Sequence, residues 1–351
     1  MRVRPIRLIA TLALLLIPMW VLAEGRSAAP PEELPATPSE ALPAAQATST
    51  GSPEATPERV WTIAVIADLN DSYGSTTHNQ HVHAAARWIG EALKPDLVVS
   101  AGDMVAGQRH GLDYEAMWAG FHHAMTDPLT RAGVPLAVTP GNHDASGSPA
   151  FWEERAHFAR EWIRRRPNLT FVDDSFYPFY YAFEIGPALF ISLDATTVGP
   201  LDEAQRQWVR RTLEANAHKD VQFFLGHLPL FPVAHGRQHE TLGDLELEAL
   251  FEEFDVDMMI AGHHHAYYPG RRGDVLHLHA ACLGSGPRIL LEGEEVRSPR
   301  NVAVIRFDST GILDVQGYLS PDFTETVDLE TLPPHIGDGD ERIWRMDVEA
   351  Y

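Results

Sequence analysis

The chain has 351 residues, of which 44% are hydrophobic, 9% aromatic and 22% charged. That balance suits a globular protein and excludes wholesale disorder and collagen-like structure. A formal net charge of −22 argues against general nucleic-acid binding, and the single cysteine, Cys282, excludes an intramolecular disulfide or a thiolate zinc cluster.

Taken in chain order, the first segment reads as an address. Arg2, Arg4 and Arg7 precede an apolar run from Leu8 to Leu22, and Val21-Leu22-Ala23 ends in small residues of the kind a signal peptidase reads. The run is shorter than the roughly 20 residues a spanning helix needs. The expectation is a signal peptide over 1–23 and an exported, periplasmic or extracellular protein without membrane contact after cleavage. The alternative is a chain tethered to a membrane by the uncleaved segment. Residues 24–58 are rich in Pro, Ala, Ser, Thr and Glu, hold no aromatic residue, and read as an extended linker.

The body, 59–319, alternates buried strands with amphipathic helices. Continuous apolar runs predict strands at Val60–Ala67, Asp96–Ala101, Val134–Thr139, Val221–Leu225 and Val256–Ala261. Helical periodicity marks His81–Leu93, Tyr114–Met125, Pro149–Arg166, Leu201–Ala215 and Thr241–Phe254. Phe179–Ile185 and Ala188–Leu193 read as adjacent strands. Val275–Ala280, Asn301–Phe307 and Ile312–Tyr318 suggest an antiparallel finish. Such alternation implies a layered α/β architecture. Residues 320–351 read as an acidic, proline-containing tail that Trp344 could dock on the body.

Chemistry gathers where the apolar runs end. Asp68-Leu69-Asn70 follows the first, Gly102-Asp103 the second and Gly141-Asn142-His143-Asp144 the third. Gly226-His227 and Gly262-His263-His264-His265 follow the last two. In open α/β sheets, ligands collect beyond the carboxyl ends of strands. Alone, each group has an ordinary explanation: a helix cap for Asp68, a turn for Asn142, a buried histidine for His227. Repeated at five strand ends, they read as a metal site.

These motifs resemble the calcineurin-like metallophosphoesterase superfamily, whose order is Asp-x-His, Gly-Asp, Gly-Asn-His-Asp/Glu, His and Gly-His-x-His. The match runs from Asp68 to His265. The resemblance implies a four-layer αββα sandwich of two mixed β-sheets flanked by helices, with two metal ions at the strand ends. By the same resemblance, Asp103 bridges the metals, Asp68 and His265 hold the first, and Asn142, His227 and His263 hold the second. His143 would be a general acid near the leaving oxygen, with Asp144 orienting it, and His264 would point away. The first motif departs from the family: Asn70 stands where His is usual. An amide oxygen is a weaker donor than imidazole, so Asn70 ligates through oxygen or Asp71 or Tyr73 compensates. Ala106 stands where purple acid phosphatases supply a tyrosine.

The mixed oxygen and nitrogen set fits Mn, Fe or Zn. The implied reaction is phosphoester hydrolysis by water that a dinuclear centre activates for in-line attack. Arg109 and His110, with His235 and Arg237, are candidate contacts for the phosphoester substrate. The rival reading is a degenerate, non-catalytic metal- or phosphate-binding protein on the same scaffold. No P-loop, Gly-x-Ser-x-Gly or complete zincin motif occurs in the chain.

Overall fold

Strand alternation builds the layers. In β1 (Trp61–Ile66), Ile63 and Val65 point to one face and Ala64 and Ile66 to the other, and all four are buried. The first pair packs in the core with Phe183, Phe190 and Phe223, while the second packs with Val82, Trp118 and Phe121. A strand covered on both faces must be apolar throughout, which is why the run is continuous. The computed structural model describes residues 59–339 and 342–349, so the expected signal peptide and linker lie outside the described residues.

After β1 come α1 (Gln80–Trp88), β2 (Leu97–Ser100), α2 (Tyr114–Phe121), α3 (Asp127–Ala132) and β3 (Leu136–Val138). Next are α4 (Glu153–Arg164), β4 (Thr170–Phe176), β5 (Tyr180–Ile185), β6 (Ala188–Ser192), α5 (Glu203–Ala215) and β7 (Val221–Leu225). Then follow α6 (Leu245–Glu253), β8 (Met258–Ala261), β9 (Tyr268–Arg272), β10 (Val275–His279), β11 (Asn301–Asp308) and β12 (Gly311–Leu319). The last strands are β13 (His335–Ile336) and β14 (Ile343–Arg345).

Five strands form one sheet in the order β12-β11-β1-β2-β3, with β1, β2 and β3 parallel. The other sheet runs β13-β14-β9-β10-β8-β7-β6-β5-β4, with β6, β7, β8 and β10 parallel. Both sheets are mixed, as expected. Their facing sides share aromatic rings, including Phe223 on Phe307 at 5.3 Å between centroids. Phe251 of α6 packs on Phe224 at 4.5 Å, covering the outer face of the larger sheet. Helices therefore flank two stacked sheets in the αββα order.

Capping sets several helix starts. Asn79 accepts from His81 N and Val82 N, Asp113 from Ala116 N, Asp202 from Gln205 N and Asp244 from Leu247 N. The Asp244 cap starts α6 three residues later than Leu242, inside the stretch predicted from Thr241. The stretch beginning at Pro149 opens as a single 3₁₀ turn, Pro149–Phe151, before α4. Both α1 and α2 continue into wider π-helical turns, Ile89–Leu93 and His122–Thr126.

Two differences from the sequence expectation lie at one sheet edge. No strand was expected at β9, where Pro269 and Gly270 interrupt the apolar pattern. The strand is held between β10 and β14, each antiparallel to it. Residues 320–351 were expected as a tail, yet Ile336 and Ile343 are buried and β13 and β14 extend the larger sheet. Trp344 lies in register with Arg271 of β9. Among the described residues, no helix is long and apolar enough to cross a membrane.

Candidate metal centre

The carboxyl ends of β1, β2 and β3 meet those of β7 and β8. Backbone bonds weld the junction: Leu69 N and Asn70 N donate to Asp103 O at 2.8 and 3.1 Å, and Gly262 N donates to His227 O at 3.0 Å. The turns are tight. Asp68, Asp103, His263 and His265 have φ of 50, 55, 65 and 51°, in the left-handed region that L-residues enter at a cost of about 1–2 kcal/mol each. Such strain persists where surrounding contacts over-determine it, and here it turns four acidic or imidazole side chains toward one point. Gly102 is needed at φ 91°, where a Cβ would lie 2.7 Å from His227 Nδ1.

The chemistry centres on His227. Its Nδ1–H donates to Ala101 O at 2.8 Å, which aims Nε2 at the neighbouring side chains. Nε2 lies 2.9 Å from Asn142 Oδ1, 3.3 Å from His263 Nδ1 and 3.4 Å from Asp103 Oδ1. His263 in turn donates Nε2–H to Glu240 Oε2 at 2.9 Å, so its Nδ1 is bare. Four potential ligand atoms thus converge on one point, and a metal bound there would displace the proton that His227 Nε2 holds in metal-free protein. Burial would lower His227, but Asp103 outweighs it and raises the ring to about 9. Burial would raise Asp103, yet His227 and His143 hold it below the usual carboxylate range.

A second group adjoins the first. His265 Nε2 lies 3.2 Å from Asp68 Oδ1, while its Nδ1–H donates to Gly286 O at 3.1 Å. Burial opposes the protonated ring, but Asp68 raises His265 well above its ordinary value. Asp68 also accepts from His263 N, at 3.2 and 3.0 Å to its two oxygens. Potential ligand atoms of Asp68, Asp103 and His227 all lie within 4.8 Å of one another. Asp103 stands between the groups, with Oδ1 toward His227 and Oδ2 4.0 Å from His143 Nε2. The donors are imidazole nitrogens, carboxylates and an amide oxygen, a set suited to borderline transition metals.

The sequence profile of the calcineurin-like phosphoesterase family matches residues 62–267, a span that contains every one of these donors. The chain belongs to that family. It is 24% identical over 219 residues to a phosphoenolpyruvate phosphatase of Allium cepa, covering 61% of this chain and 43% of the relative. It is 23% identical over 224 residues to Fe(3+)-Zn(2+) purple acid phosphatase 12 of Arabidopsis thaliana, covering 63% and 45%. The chain thus spans less than half the length of these curated relatives. Among solved structures, purple acid phosphatase PPD1 of yellow lupin (Lupinus luteus) superposes with a TM-score of 0.59 at 16% identity, over 77% of this chain and 53% of that one. PhoD superposes at 0.54 and 13% identity, over 79% and 73%. These likenesses carry the metallophosphoesterase fold.

Within this calcineurin-like frame, Asn70 is buried at the centre's edge. Its Nδ2–H reaches toward Val105 O at 3.5 Å, and the residue lines the same cleft as His143 and His265. Asp71 holds Asn79 Nδ2 at 2.9 Å, and the Tyr73 ring sits 5.3 Å from that of His143. Asp144 differs from expectation. It was read as orienting His143, but its carboxylate accepts from Met104 N, Val105 N and Gly141 N at 2.8, 2.9 and 3.1 Å. Three backbone donors occupy it, so it fixes the loop after Asp103. The partner of His143 is Gly107 O, which accepts from Nδ1 at 3.3 Å.

The loop candidates divide. Arg237 lines the cleft. Arg109 stacks over Tyr73 at 4.2 Å, one layer out, and His110 lies 5.2 Å from the Phe151 ring. His235 is exposed. His264 faces away from the donors: it accepts from Val233 N at 3.2 Å and donates to Glu240 O at 3.1 Å.

Sequence reasoning missed Glu240, Ser285, Gly286 and Arg288. Glu240 secures His263, and that hydrogen bond, with Arg237 nearby, lowers its carboxyl to about 2 against the opposing effect of burial. Carboxylate partners of this kind fix a ligating imidazole. Ser285, Gly286 and Arg288 line the same cleft as His143. Their one signal was the Gly284-Ser285-Gly286 run: Gly284 packs so closely that a Cβ there would lie 2.0 Å from Asn70 O.

Proposed function

We propose that the chain is a metal-dependent phosphoester hydrolase with a dinuclear centre. The observation that carries this reading is the convergence of Asn142 Oδ1, His263 Nδ1 and Asp103 Oδ1 on Nε2 of the buried His227. Those four residues would hold one metal. Asp68, His265, Asn70 and the shared Asp103 would hold the other. Bound there, two ions supply Lewis acidity that polarises the phosphoryl group and lowers the pKa of a water nucleophile. Mn, Fe and Zn suit the donors, and the iron and zinc in the Arabidopsis relative's name support those two.

The protein's own groups complete the reaction. The Gly107 carbonyl fixes the His143 ring through Nδ1, which presents Nε2 to the cleft. Water oxygen bonds to phosphorus from the side opposite the ester oxygen, whose bond to phosphorus breaks. The Nε2 proton of His143 then passes to that leaving oxygen. Asp144 keeps Asp103 in register by holding the two amides that follow it.

The test is phosphate release from an aryl phosphate by protein loaded with Mn, Fe or Zn. Turnover is expected from the native sequence, whereas Asp103→Ala should lose both metals and activity. Asn70 favours one second reading, a scaffold that binds phosphate without turnover. Phosphate binding without release under every metal would establish it instead.

Residues 59–319 are assigned as the hydrolase domain, with the segment beyond 320 completing its sheet edge. Residues 1–23 are assigned as an export signal that places the protein in the periplasm or outside the cell. N-terminal sequencing of protein from its native host tests this: a mature chain beginning near Glu24 is expected, and one retaining Leu8–Leu22 would refute cleavage.

A further inference from the structure

Two arginines overhang the candidate centre, and the motifs account for neither. Arg237 and Arg288 line one cleft together with Asn70, His143 and His265. Each is tied to a different candidate ligand. Arg237 pairs with Glu240, the carboxylate that secures His263. Arg288 donates its backbone N–H to His265 O at 3.1 Å and accepts from Ser298 N at 2.8 Å, so its Cα is fixed from both sides. The loops that carry them are joined by His235 N to Ile289 O at 2.9 Å. Arg288 Nη1 would lie 3.5 Å from a Cβ at Gly236, which sets its guanidinium against the Arg237 turn.

Their hydrogen bonding is incomplete. Nε of Arg237 and Nε of Arg288 are both buried and have no partner. Among the described residues, no carboxylate forms a salt bridge with Arg288. Burial, and then the charge of Arg237, lower Arg288 from its ordinary value, so the pair is electrostatically uncomfortable as it stands. Two like charges beside a carboxylate-rich centre, in a chain of net charge −22, are a specific local feature. A buried N–H left without a partner is destabilising. One anion lying between the forks would satisfy both donors and screen the repulsion.

We propose that Arg237 and Arg288 form a clamp for the doubly charged phosphoryl group of a phosphomonoester, and that they select monoesters over diesters. This rests on the hydrolase reading above. A monoester presents three non-bridging oxygens and a charge of about −1.5 to −2 at pH 7. A diester presents two such oxygens and a single charge. Metal ions held by the Asp, His and Asn ligands would provide for two of these oxygens. The arginine forks provide for the third, which in a diester carries a carbon substituent and has neither the charge nor the room to pair with them.

The experiment compares p-nitrophenyl phosphate with methyl p-nitrophenyl phosphate, which share a leaving group. Full-length, metal-loaded protein is assayed as native sequence, Arg288→Gln, Arg288→Lys and Arg237→Gln, with metal content measured for each. Arg288→Gln is the primary variant because Arg288 lies outside the Glu240–His263 pair. The ratio of monoester to diester kcat/KM should fall about 10–100-fold, as for loss of a charge-assisted hydrogen bond. Arg288→Lys, which keeps charge without the fork, should fall between. Equal losses on both esters at unchanged metal content, or an unchanged ratio, would overturn the clamp. Calorimetry with inorganic phosphate separates this from the hydrolase reading. Metal-loaded protein that cleaves neither ester, yet binds phosphate about 10-fold more weakly after Arg288→Gln, would sink the hydrolase reading and uphold the clamp. Phosphate binding indifferent to Arg288 would sink the clamp.

Discussion

His143 and Asn70 show how much of this chemistry depends on single atoms. The Gly107 carbonyl engages His143 Nδ1, so only Nε2 is free to serve a leaving group. His143→Ala should therefore retain both metals and slow an alkyl phosphate by about 10²–10⁴-fold. An aryl phosphate, whose oxygen leaves without protonation, should lose less. Parallel kinetics and metal analysis check this, and equal losses would contradict the assignment. The Asn70 side chain makes one long bond, to Val105 O, and lines the cleft beside the centre. Stepwise metal titration should find the weaker site tightened by Asn70→His and loosened by Asn70→Ala, with the stronger site unchanged. Identical titrations of all three proteins would rule out Asn70 as a ligand. At this scale the cluster of candidate donors was legible from the chain, because each follows a buried strand. The role of Asp144 was not: adjacency to His143 suggested a side-chain pair, while the turn directs its carboxylate to three amides.

At the scale of elements, the parallel strands carry the centre and the sheet edge carries the unexpected structure. Strands β1, β2, β3, β7 and β8 announced themselves as continuous apolar runs because helices or a second sheet cover both faces. Strands β9 and β14 gave no such signal. Their pairing depends on Ile343, fully buried, whose Cγ2 would lie 2.4 Å from a Cβ at Gly270. Gly270, which interrupts the apolar pattern of β9, is what lets β14 approach. Ile343→Ala should destabilise the fold by about 2–5 kcal/mol without changing metal stoichiometry. Chemical denaturation and metal analysis test this together. A loss of stability below about 0.5 kcal/mol would show that β14 packs loosely.

Across the whole molecule, buried histidines couple stability to pH. Burial pushes His277 down to about 3, His279 to about 4 and His122 to about 4, where Arg165 adds to the effect on the last. Unfolded histidine titrates near 6.5. As pH falls below that value the unfolded chain takes up protons that the folded chain refuses, so stability falls from about pH 6.5 toward pH 4. Each such histidine contributes up to about 1.4 kcal/mol per pH unit within that window. In metal-free protein His227 acts oppositely: Asp103 raises it to about 9, so its contribution is full below 6.5 and is lost as pH rises through 9. His277 packs edge-on against Phe231 at 5.3 Å, so His277→Phe preserves a ring there. Denaturation of this variant between pH 5 and 6.5 should show a shallower slope than the native sequence. An equal slope would mean that His277 is already charged in the folded protein.

The sequence by itself determined the layered α/β class, the strands that bear the centre and the order of its donors. Those features are local: a strand buried on both faces must be apolar, and a side chain that joins a cluster at the strand's end must follow it directly. Tertiary structure decided the rest. Glu240 meets His263 across 23 residues, and Gly284 N meets Asp68 O from the far side of the β10 strand. Arg288 joins Arg237 because two loops pair through His235 and Ile289. β9 becomes a strand because neighbours on both sides supply its partners. No periodicity in the chain encodes such meetings, since each depends on where two distant backbones are brought together by the stacked sheets.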